Sequence, residues 1–199
     1  VLLPGGQPPR TTLGYNLAAL LHLLHRLGLA RDPGPDLAAA AAHLGQQEMA
    51  VCDREAAEAA AAIGGRFVVI YTSGGEAHPA GPRLKAQLNE NAKMPAAVAE
   101  FPELTHNDIV GWELPAARRD GFALLVLRGA DESARACRRA DAALSLLEGQ
   151  FGVVRQIRAR GPGPLARALG LVLFGDFLSV HAAELRGVDP IPITRIDAL

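Results

Sequence analysis

Two strong acid/base side chains, Glu90 and His106, stand 16 positions apart in a stretch rich in Asn, Pro and Gly. A carboxylate and an imidazole are the pair with which enzymes move protons without a metal ion. An aldose–ketose isomerisation uses such a pair, because a base carries a proton between C1 and C2 through an enediol and a second group opens the sugar ring. These residues therefore suggest proton-transfer chemistry on a sugar.

The same residues also have a purely structural interpretation. Glu90 and Lys93, three apart on one helix, can form a surface ion pair that contributes a few tenths of a kcal/mol. The run Thr105-His106-Asn107-Asp108 predicts a capping box with Thr105 as the N-cap, which would place His106 in the first turn of a short helix. On these residues alone both interpretations remain open.

Other chemistries find little support in the sequence. There is no Gly-x-Ser-x-Gly elbow, and neither Cys52 nor Cys137 has a neighbouring His, so we predict two buried free thiols in a reducing cytoplasm. His22 and His25 lack a third ligand at metal-binding spacing and are predicted to lie at the surface or at the edge of the core. We accordingly predict no metal and no cofactor.

Composition limits the class of protein. With 199 residues, 49% of them hydrophobic, the chain fits one globular domain. Its net charge of −1 provides no field for nucleic acid or an anionic membrane, so neither partner is expected. The most apolar stretch, 165–178, contains Arg167 and Asp176 and is shorter than the roughly 20 residues that a bilayer span needs. We predict a buried helix there.

The elements around the candidate site alternate between strand and helix. Short apolar runs predict strands, and longer periodic runs predict helices, the first of them facing the core. Because this alternation requires crossover connections, we expect a parallel sheet. The turn 72–75, after the first strand, is a weak anion-site pattern that we interpret as a plain turn. The predicted strands are 67–71, 122–127 and 153–157, and the predicted helices are 13–27, 36–44, 50–63, 82–94, 131–147 and 164–185, with a last helix opening at the prolines after Asp189.

Several motifs resemble the bifunctional phosphoglucose/phosphomannose isomerase family of archaea and bacteria. The resemblance is carried by Gln87-Leu88-Asn89-Glu90-Asn91-Ala92-Lys93, Phe101-Pro102-Glu103-Leu104-Thr105-His106-Asn107, Ile109-Val110-Gly111-Trp112, Pro8-Pro9-Arg10 with Leu13-Gly14-Tyr15, and Gly187-Val188-Asp189-Pro190. It implies two sugar isomerase (SIS) domains in tandem, each a three-layer, flavodoxin-like parallel sheet flanked by helices. Residues 1–12 then resemble the inter-domain linker and 13–199 the C-terminal SIS domain.

The resemblance also implies roles for three residues. Glu90 would pass the proton between C1 and C2, His106 would reach into the site of the partner subunit in a homodimer and open the ring, and Arg10 would contact the substrate and steady the enediolate. The reaction would interconvert glucose 6-phosphate or mannose 6-phosphate with fructose 6-phosphate. A non-catalytic domain that binds a phosphosugar or supports dimerisation is the alternative.

The family pattern places other functional groups outside this sequence. Its Ser/Thr cluster for the sugar phosphate belongs to the first SIS domain, which we expect before Val1, so Thr72 and Ser73 are not expected to take that role. Its lysine in the last helix is expected just beyond Leu199. A chain of this extent is therefore expected to be inactive alone, even if the longer protein is active.

Overall fold

The computed structural model describes residues 2–199, apart from the side chains of Gln46 and Gln47. Its strands are β1 (Phe67–Thr72), β2 (Ala96–Glu100), β3 (Phe122–Arg128) and β4 (Val153–Arg158). They form a parallel sheet in the order β2-β1-β3-β4. The helices are α1 (Leu13–Arg26), α2 (Gly34–His43), α3 (Gln46–Ile63), α4 (Ala80–Glu90), α5 (Asp108–Gly111), α6 (Ala116–Arg119), α7 (Ala134–Leu146), α8 (Pro164–Leu185) and α9 (Thr194–Asp197).

Each face of the sheet carries its own apolar layer. Helices α3, α4 and α8 cover the first face, where Ile63, Leu84 and Leu178 are buried. Helix α7 and the segment after β2 cover the second face, through residues such as Ala143 and Leu104. The central strands β1 and β3 are therefore apolar along almost their whole length, as is usual for parallel strands buried on both sides. The predicted α/β class, a three-layer parallel sheet between helices, is confirmed.

Strand β2 was not predicted from the sequence pattern. Its residues, Ala96–Glu100, are mostly alanine, which has a low preference for strands. The strand forms because it adds to the edge of β1 in register, with Ala96 opposite Val68 and Val98 opposite Ile70. Tertiary pairing thus overrides the local preference of the sequence.

Helix α1 was predicted to face the core, and this prediction is wrong. None of its residues is buried, and the residues Leu20 and Leu23 are each 52% exposed to solvent. The leucine periodicity does form an apolar face, but the first face of the sheet is already filled by α3, α4 and α8. The leucine spacing therefore predicted the helix correctly, but it did not show whether the apolar face is buried in the core.

Helix α8 is long and apolar enough to cross a membrane by length and composition. In the structure it is the core helix of the first layer, where Leu171, Phe174 and Leu178 are buried against the sheet and its neighbouring helices. Its charged residues have partners, since Asp176 pairs with Arg83 in α4. The prediction of a buried helix is confirmed.

Candidate active site

Glu90 is the last residue of α4, a helix that close packing fixes against the sheet. Gly81 in its first turn approaches β1 so closely that a Cβ at this position would lie 2.5 Å from Cγ2 of Thr72. Leu84 and Leu88, one turn apart, are buried in the first apolar layer. The helix therefore carries Glu90 to the end of that layer, where its side chain keeps 31% of its exposure.

The guanidinium group of Arg10 lies against the carboxylate of Glu90. Nη1 donates to Oε2 of Glu90 at 3.3 Å, and Nε donates to Oδ1 of Asn91 at 3.0 Å. Nη2 donates to the backbone carbonyl oxygens of Pro190 and Ile191, at 3.0 and 2.7 Å. These bonds use four of the five guanidinium N–H groups, and the side chain is only 8% exposed. One N–H at Nη1, beside Glu90, is left for a ligand.

Asn91 holds Arg10 from inside the protein. Its Oδ1 accepts the bond from Arg10, and its Nδ2 donates to Oγ of Ser179 at 2.9 Å. Ser179 is fully buried in α8 and donates in turn to the carbonyl oxygen of Asp176 at 2.8 Å. A continuous chain of hydrogen bonds therefore joins the core helix to the guanidinium group.

A second set of bonds fixes the backbone of Arg10. Arg83 forms a bidentate ion pair with Asp176, with N···O distances of 3.0 and 2.8 Å. Its Nη2 also donates to the carbonyl oxygen of Arg10 at 3.0 Å, and Gln87 donates to Asp176 at 2.8 Å. Because bidentate arginine pairs have a defined geometry, this arrangement limits the movement of Arg10 relative to α4 and α8.

Lys93 closes the end of α4 by contacts with the backbone. It has a φ of +54°, a left-handed conformation that costs a residue with a Cβ roughly 1–2 kcal/mol. Its Nζ donates to the carbonyl oxygens of Glu90 at 2.6 Å and Pro192 at 2.9 Å, which offsets that cost. The carboxylate of Glu90 pairs instead with Arg10, so the predicted alternative of a Glu90–Lys93 surface ion pair is wrong.

Glu90 is accessible from a cavity of about 670 Å³ between α1, α4 and α8. Arg10, Arg83 and Gln87 form the polar part of its wall, and leucines of α1 and α8 form the apolar part. Within residues 2–199, Oε1 of Glu90 has no hydrogen-bond partner, whereas Oε2 is held by Arg10. The site thus contains a carboxylate with one oxygen fixed and one oxygen open to accept a proton.

His106 lies at the opposite end of β2 from Glu90. The chain leaves α4 at Glu90, enters β2 at Ala96, leaves it at Glu100 and reaches the exposed His106 after a short turn. At about 3.3 Å per residue, the five-residue strand alone spans roughly 16 Å. No hydrogen bond or ion pair joins His106 to Glu90 or Arg10 in the described part of the chain. The structure therefore brings Arg10 and Glu90 together and leaves His106 apart.

The predicted cap at Thr105 is wrong. Thr105 ends a short 3-10 turn, and its hydroxyl donates to the carbonyl oxygen of Pro102 at 2.6 Å. The cap of α5 is Asn107, whose side chain accepts from the next backbone N–H at 2.7 Å. His106 follows the 3-10 turn and closes it through its backbone, whose N–H donates to the carbonyl oxygen of Glu103 at 2.8 Å. Its exposed ring therefore has no capping role.

A second polar cluster lies at the carboxyl end of β3. Arg128, 1% exposed, donates to both carboxylate oxygens of Glu132 at 2.6–3.0 Å and to Asp141 at 2.9 Å. The bonds to Glu132 raise the pKa of Arg128 further above its usual range. Burial of Glu132 acts to raise its pKa, but the hydrogen bonds from Arg128 and Ser73 outweigh burial and lower it. Ser73 also accepts from the backbone N–H of Gly129 at 2.8 Å, so it joins the segment after β1 to the segment after β3.

The cysteines are free, as predicted, but only Cys52 is buried, whereas Cys137 is half-buried. Burial and the neighbouring carboxylate of Glu48 raise the pKa of the Cys52 thiol to about 11, so it is a poor nucleophile at neutral pH.

His22 is exposed on α1, and its Nδ1 lies 2.8 Å from the carbonyl oxygen of Ala18. Among the described residues, no group of three or more His, Cys, Asp or Glu side chains could hold a metal ion.

Four residues of the Arg10 network were given no role from the sequence, although two of them lie in a motif that carries the family resemblance. They are Asn91, Ser179, Arg83 and Gln87. One signal was available, because Asp176 is a charged residue within a largely apolar helix, and a partly buried carboxylate is stabilised by a cationic partner. The identity of that partner, 93 positions away, follows only from the fold.

Comparisons with known proteins show which family the chain resembles. Residues 52–199 match the family described as the bacterial phospho-glucose isomerase C-terminal SIS domain. The bifunctional phosphoglucose/phosphomannose isomerase of Aquifex aeolicus is 35% identical over 99% of this chain and 59% of its own length. The enzyme of the same name from Caldicellulosiruptor bescii is 31% identical over all of this chain and 60% of its own length. The chain thus spans about three fifths of the length of these curated relatives.

Solved structures show the same fold at lower sequence identity. A glucose-6-phosphate isomerase like protein from Thermus thermophilus aligns with a TM-score of 0.56 and 22% identity, over 68% of this chain and 44% of its own. Glucosamine-6-phosphate deaminase from Thermotoga maritima aligns with a TM-score of 0.63 and 10% identity, over 92% of this chain and 54% of its own. With the family match over residues 52–199, this chain belongs to the family of bacterial phospho-glucose isomerase C-terminal SIS domains.

Proposed function

We propose that this chain is the second SIS domain of a longer isomerase that interconverts glucose 6-phosphate or mannose 6-phosphate with fructose 6-phosphate. The names of the relatives that match along the whole chain support this reaction. The observation that carries the proposal is the Glu90 carboxylate, held through Oε2 by Arg10 and open at Oε1. Such a group can accept a proton and return it, which is what aldose–ketose isomerisation requires.

The proposed proton transfer uses the two oxygens of Glu90 differently. Oε1 removes the proton from C2 of the open-chain aldose, and the C1 carbonyl oxygen becomes the charged oxygen of an enediolate. A proton then passes from the C2 hydroxyl to O1, and the same carboxyl group returns its proton to C1, which leaves a hydroxyl at C1 and a ketone at C2. Arg10 offers its remaining Nη1 N–H to the developing negative charge. Asn91 and Arg83 act as positioning residues, since they hold the side chain and the backbone of Arg10.

We further propose that His106 opens the sugar ring in the active site of a partner subunit. An imidazole can donate a proton to the ring oxygen while the anomeric hydroxyl loses its own. Two observations support a role in another subunit, namely the exposure of His106 and its position at the far end of β2 from Glu90. Glu90 and His106 of one chain then serve two different sites of a homodimer.

The proposed setting is the cytoplasm, with the phosphosugar as substrate and without nucleic acid or membrane partners. The free thiols Cys52 and Cys137 fit a reducing compartment. A domain that only sensed a phosphosugar or only dimerised would not require a carboxylate held in this way. Such a sensor would show thermal stabilisation by a sugar phosphate without turnover.

The test is an assay of the full-length protein carrying Glu90→Gln. We expect kcat to fall by about 100-fold or more, the contribution typical of a positioned acid/base group. Glu148→Gln is the matched control, because Glu148 is exposed and remote from Arg10, and it should leave kcat unchanged. Full activity of Glu90→Gln would remove Glu90 as the base.

A further inference from the structure

The C-terminal segment, residues 189–199, lies against the end of α4 with little apolar packing. None of its residues is buried, and Ile191 and Ile196 are 60% and 54% exposed. Where its backbone amides form hydrogen bonds, the acceptors lie within the segment itself. In the part of the chain that the structure describes, all hydrogen bonds that join this segment to the rest of the protein are donated by two cations, Arg10 and Lys93. The position of the segment therefore depends on these two side chains.

The C-terminal segment forms one wall of the Glu90 site. Besides the cavity between α1, α4 and α8, Glu90 borders a second cavity of about 370 Å³ between the end of α4 and the segment. Ile193 lines both of these cavities. A displacement of the segment would therefore change the shape of the space around the Glu90 carboxylate.

Lys93 holds the segment from the end of the helix that carries Glu90. Its Nζ donates to the carbonyl oxygen of Pro192 at 2.9 Å and lies 3.5 Å from that of Pro190, which Arg10 also holds, at 3.0 Å. The same Nζ donates to the carbonyl oxygen of Glu90 at 2.6 Å. Because the proline ring fixes φ, holding the carbonyl groups of both prolines leaves the backbone between them little freedom. One ammonium group thus joins the backbone of Glu90 to the facing wall of its site.

The backbone of Lys93 is strained, and the contacts of its side chain give a reason for the strain. Among residues 2–199 it is the one non-glycine residue with a positive φ, which is +54°. Helices commonly end with glycine in this left-handed conformation, because glycine adopts it without strain. Strained residues persist where the surrounding contacts enforce them, and they are frequent at functional sites. A lysine at this position has a side chain long enough to reach the C-terminal segment, which glycine lacks.

We propose that Lys93 is a positioning residue of the isomerase site, which holds the C-terminal segment in place as a wall beside Glu90. An ammonium group has three N–H donors, and the three carbonyl oxygens around Nζ engage them. Lys93 therefore acts through the backbone of the site. The kinetic part of this inference rests on the proposed isomerase reaction, whereas the placement of the segment can be measured without it.

The experiment compares Lys93→Met with Lys93→Arg in the full-length protein. Both replacements keep a long side chain on the strained backbone, but only arginine retains a cation that can donate to the carbonyl oxygens of Pro190 and Pro192. Hydrogen exchange followed by mass spectrometry should be about tenfold faster in residues 189–199 of Lys93→Met, the effect of losing one charge-assisted hydrogen bond. Exchange in the buried strand β3 should be unchanged, which shows that the variant is folded.

The kinetic result should follow the exchange result. We expect kcat of Lys93→Met to fall by about tenfold with little change in KM, because the wall beside Glu90 is misplaced for the transition state. Lys93→Arg should restore most of both kcat and protection from exchange. Lys93→Asn should give the same losses as Lys93→Met, because asparagine tolerates the left-handed conformation but is too short to reach the segment. It serves as the test if Lys93→Met does not fold.

Lys85→Met is the matched control. Lys85 is the other lysine of the chain and lies on the same helix, and within the described residues it forms no hydrogen bond with the C-terminal segment. Its replacement should change kcat and the exchange of residues 189–199 by less than about twofold.

Three results would overturn the proposal. The first is unchanged exchange of residues 189–199 in Lys93→Met and Lys93→Asn. The second is an equal loss of kcat in Lys93→Met and Lys93→Arg, and the third is an equal effect of Lys85→Met and Lys93→Met. If the unaltered full-length protein had no isomerase activity, the proposed function would fail, and the exchange measurement would still decide whether Lys93 holds the segment.

Discussion

The two polar clusters of this domain are built over very different distances in sequence. Around Glu90, the bonds of Arg10 reach residues 80–181 positions away. Around Arg128, every partner lies within 28 positions along the chain. The first cluster forms only when the whole domain has folded, whereas the second is assembled largely within one strand–loop–helix unit. The difference separates a site that the fold creates from a structural contact that stabilises the fold.

The clusters also differ in how far their charged groups are buried and paired with one another. Arg128 and Glu132 are 1% and 4% exposed and satisfy each other, so they offer little to a ligand. Glu90 keeps 31% of its exposure and one open carboxylate oxygen. We infer that the Arg128 cluster contributes mainly to stability and the Glu90 cluster mainly to activity, and the following substitutions test that division.

The largest expected effect on stability follows from Arg128→Met. This change leaves the buried carboxylate of Glu132 without its cation, which typically costs about 3–5 kcal/mol. Urea unfolding of the 199-residue chain measures the loss. Asp141→Asn is the matched control, because Asp141 is 65% exposed and its contribution should stay below about 1 kcal/mol. Equal losses for the two variants would contradict the assignment of a closed, structural network.

A smaller loss of stability and a distinct loss of turnover are expected for Asn91→Ala. The substitution removes the bonds to Arg10 and Ser179, which should cost about 1–3 kcal/mol of unfolding free energy. In the full-length protein, kcat should fall by about tenfold or more while KM changes little, because the guanidinium group is misplaced for the transition state.

Asn89→Ala is the matched control for that substitution. Asn89 lies two positions away, and among the described residues its side chain bonds only to the carbonyl oxygen of Met94, at 2.7 Å. Its loss should lower stability without lowering kcat. If both variants reduced kcat equally, Asn91 would have no specific positioning role.

The smallest expected effect concerns the dependence of stability on pH. Although burial acts to raise the pKa of Glu132, its hydrogen bonds with Arg128 and Ser73 lower that pKa in the folded chain from its ordinary value of 4.5. Its stabilisation is therefore present above the pKa of the unfolded chain and is lost as the pH falls through the folded pKa. Glu132→Gln should give a shallower fall in unfolding free energy between neutral pH and pH values below 4.5. An unchanged slope would show that Glu132 is not linked to acid unfolding.

The sequence predicted the features that depend on local residues better than those that depend on contacts between distant parts of the chain. Local signals placed β1, β3, β4 and α8 within a residue or two, because apolar runs bounded by turns specify such elements. They failed for β2, whose alanines form a strand only by pairing with β1. They also misplaced the surroundings of α1, because periodicity shows that a helix has an apolar face and not what covers that face.

The candidate site shows a similar limit. Motif resemblance selected Arg10, Glu90 and His106, and the structure joins the first two directly. The sequence pattern could not indicate that Asn91 and Ser179 support Arg10, since their contact spans 88 positions. Nor could it show that β2 lies between Glu90 and His106, because the strand itself was not predicted.

The central claim is that Glu90 and His106 of one chain serve two different active sites. The most direct test mixes two full-length variants, Glu90→Gln and His106→Ala, each inactive alone, under conditions in which subunits exchange. Each mixed dimer then contains one site with both functional groups, so a 1:1 mixture should regain about a quarter of the original activity. A mixture that stays as inactive as its components would contradict the claim.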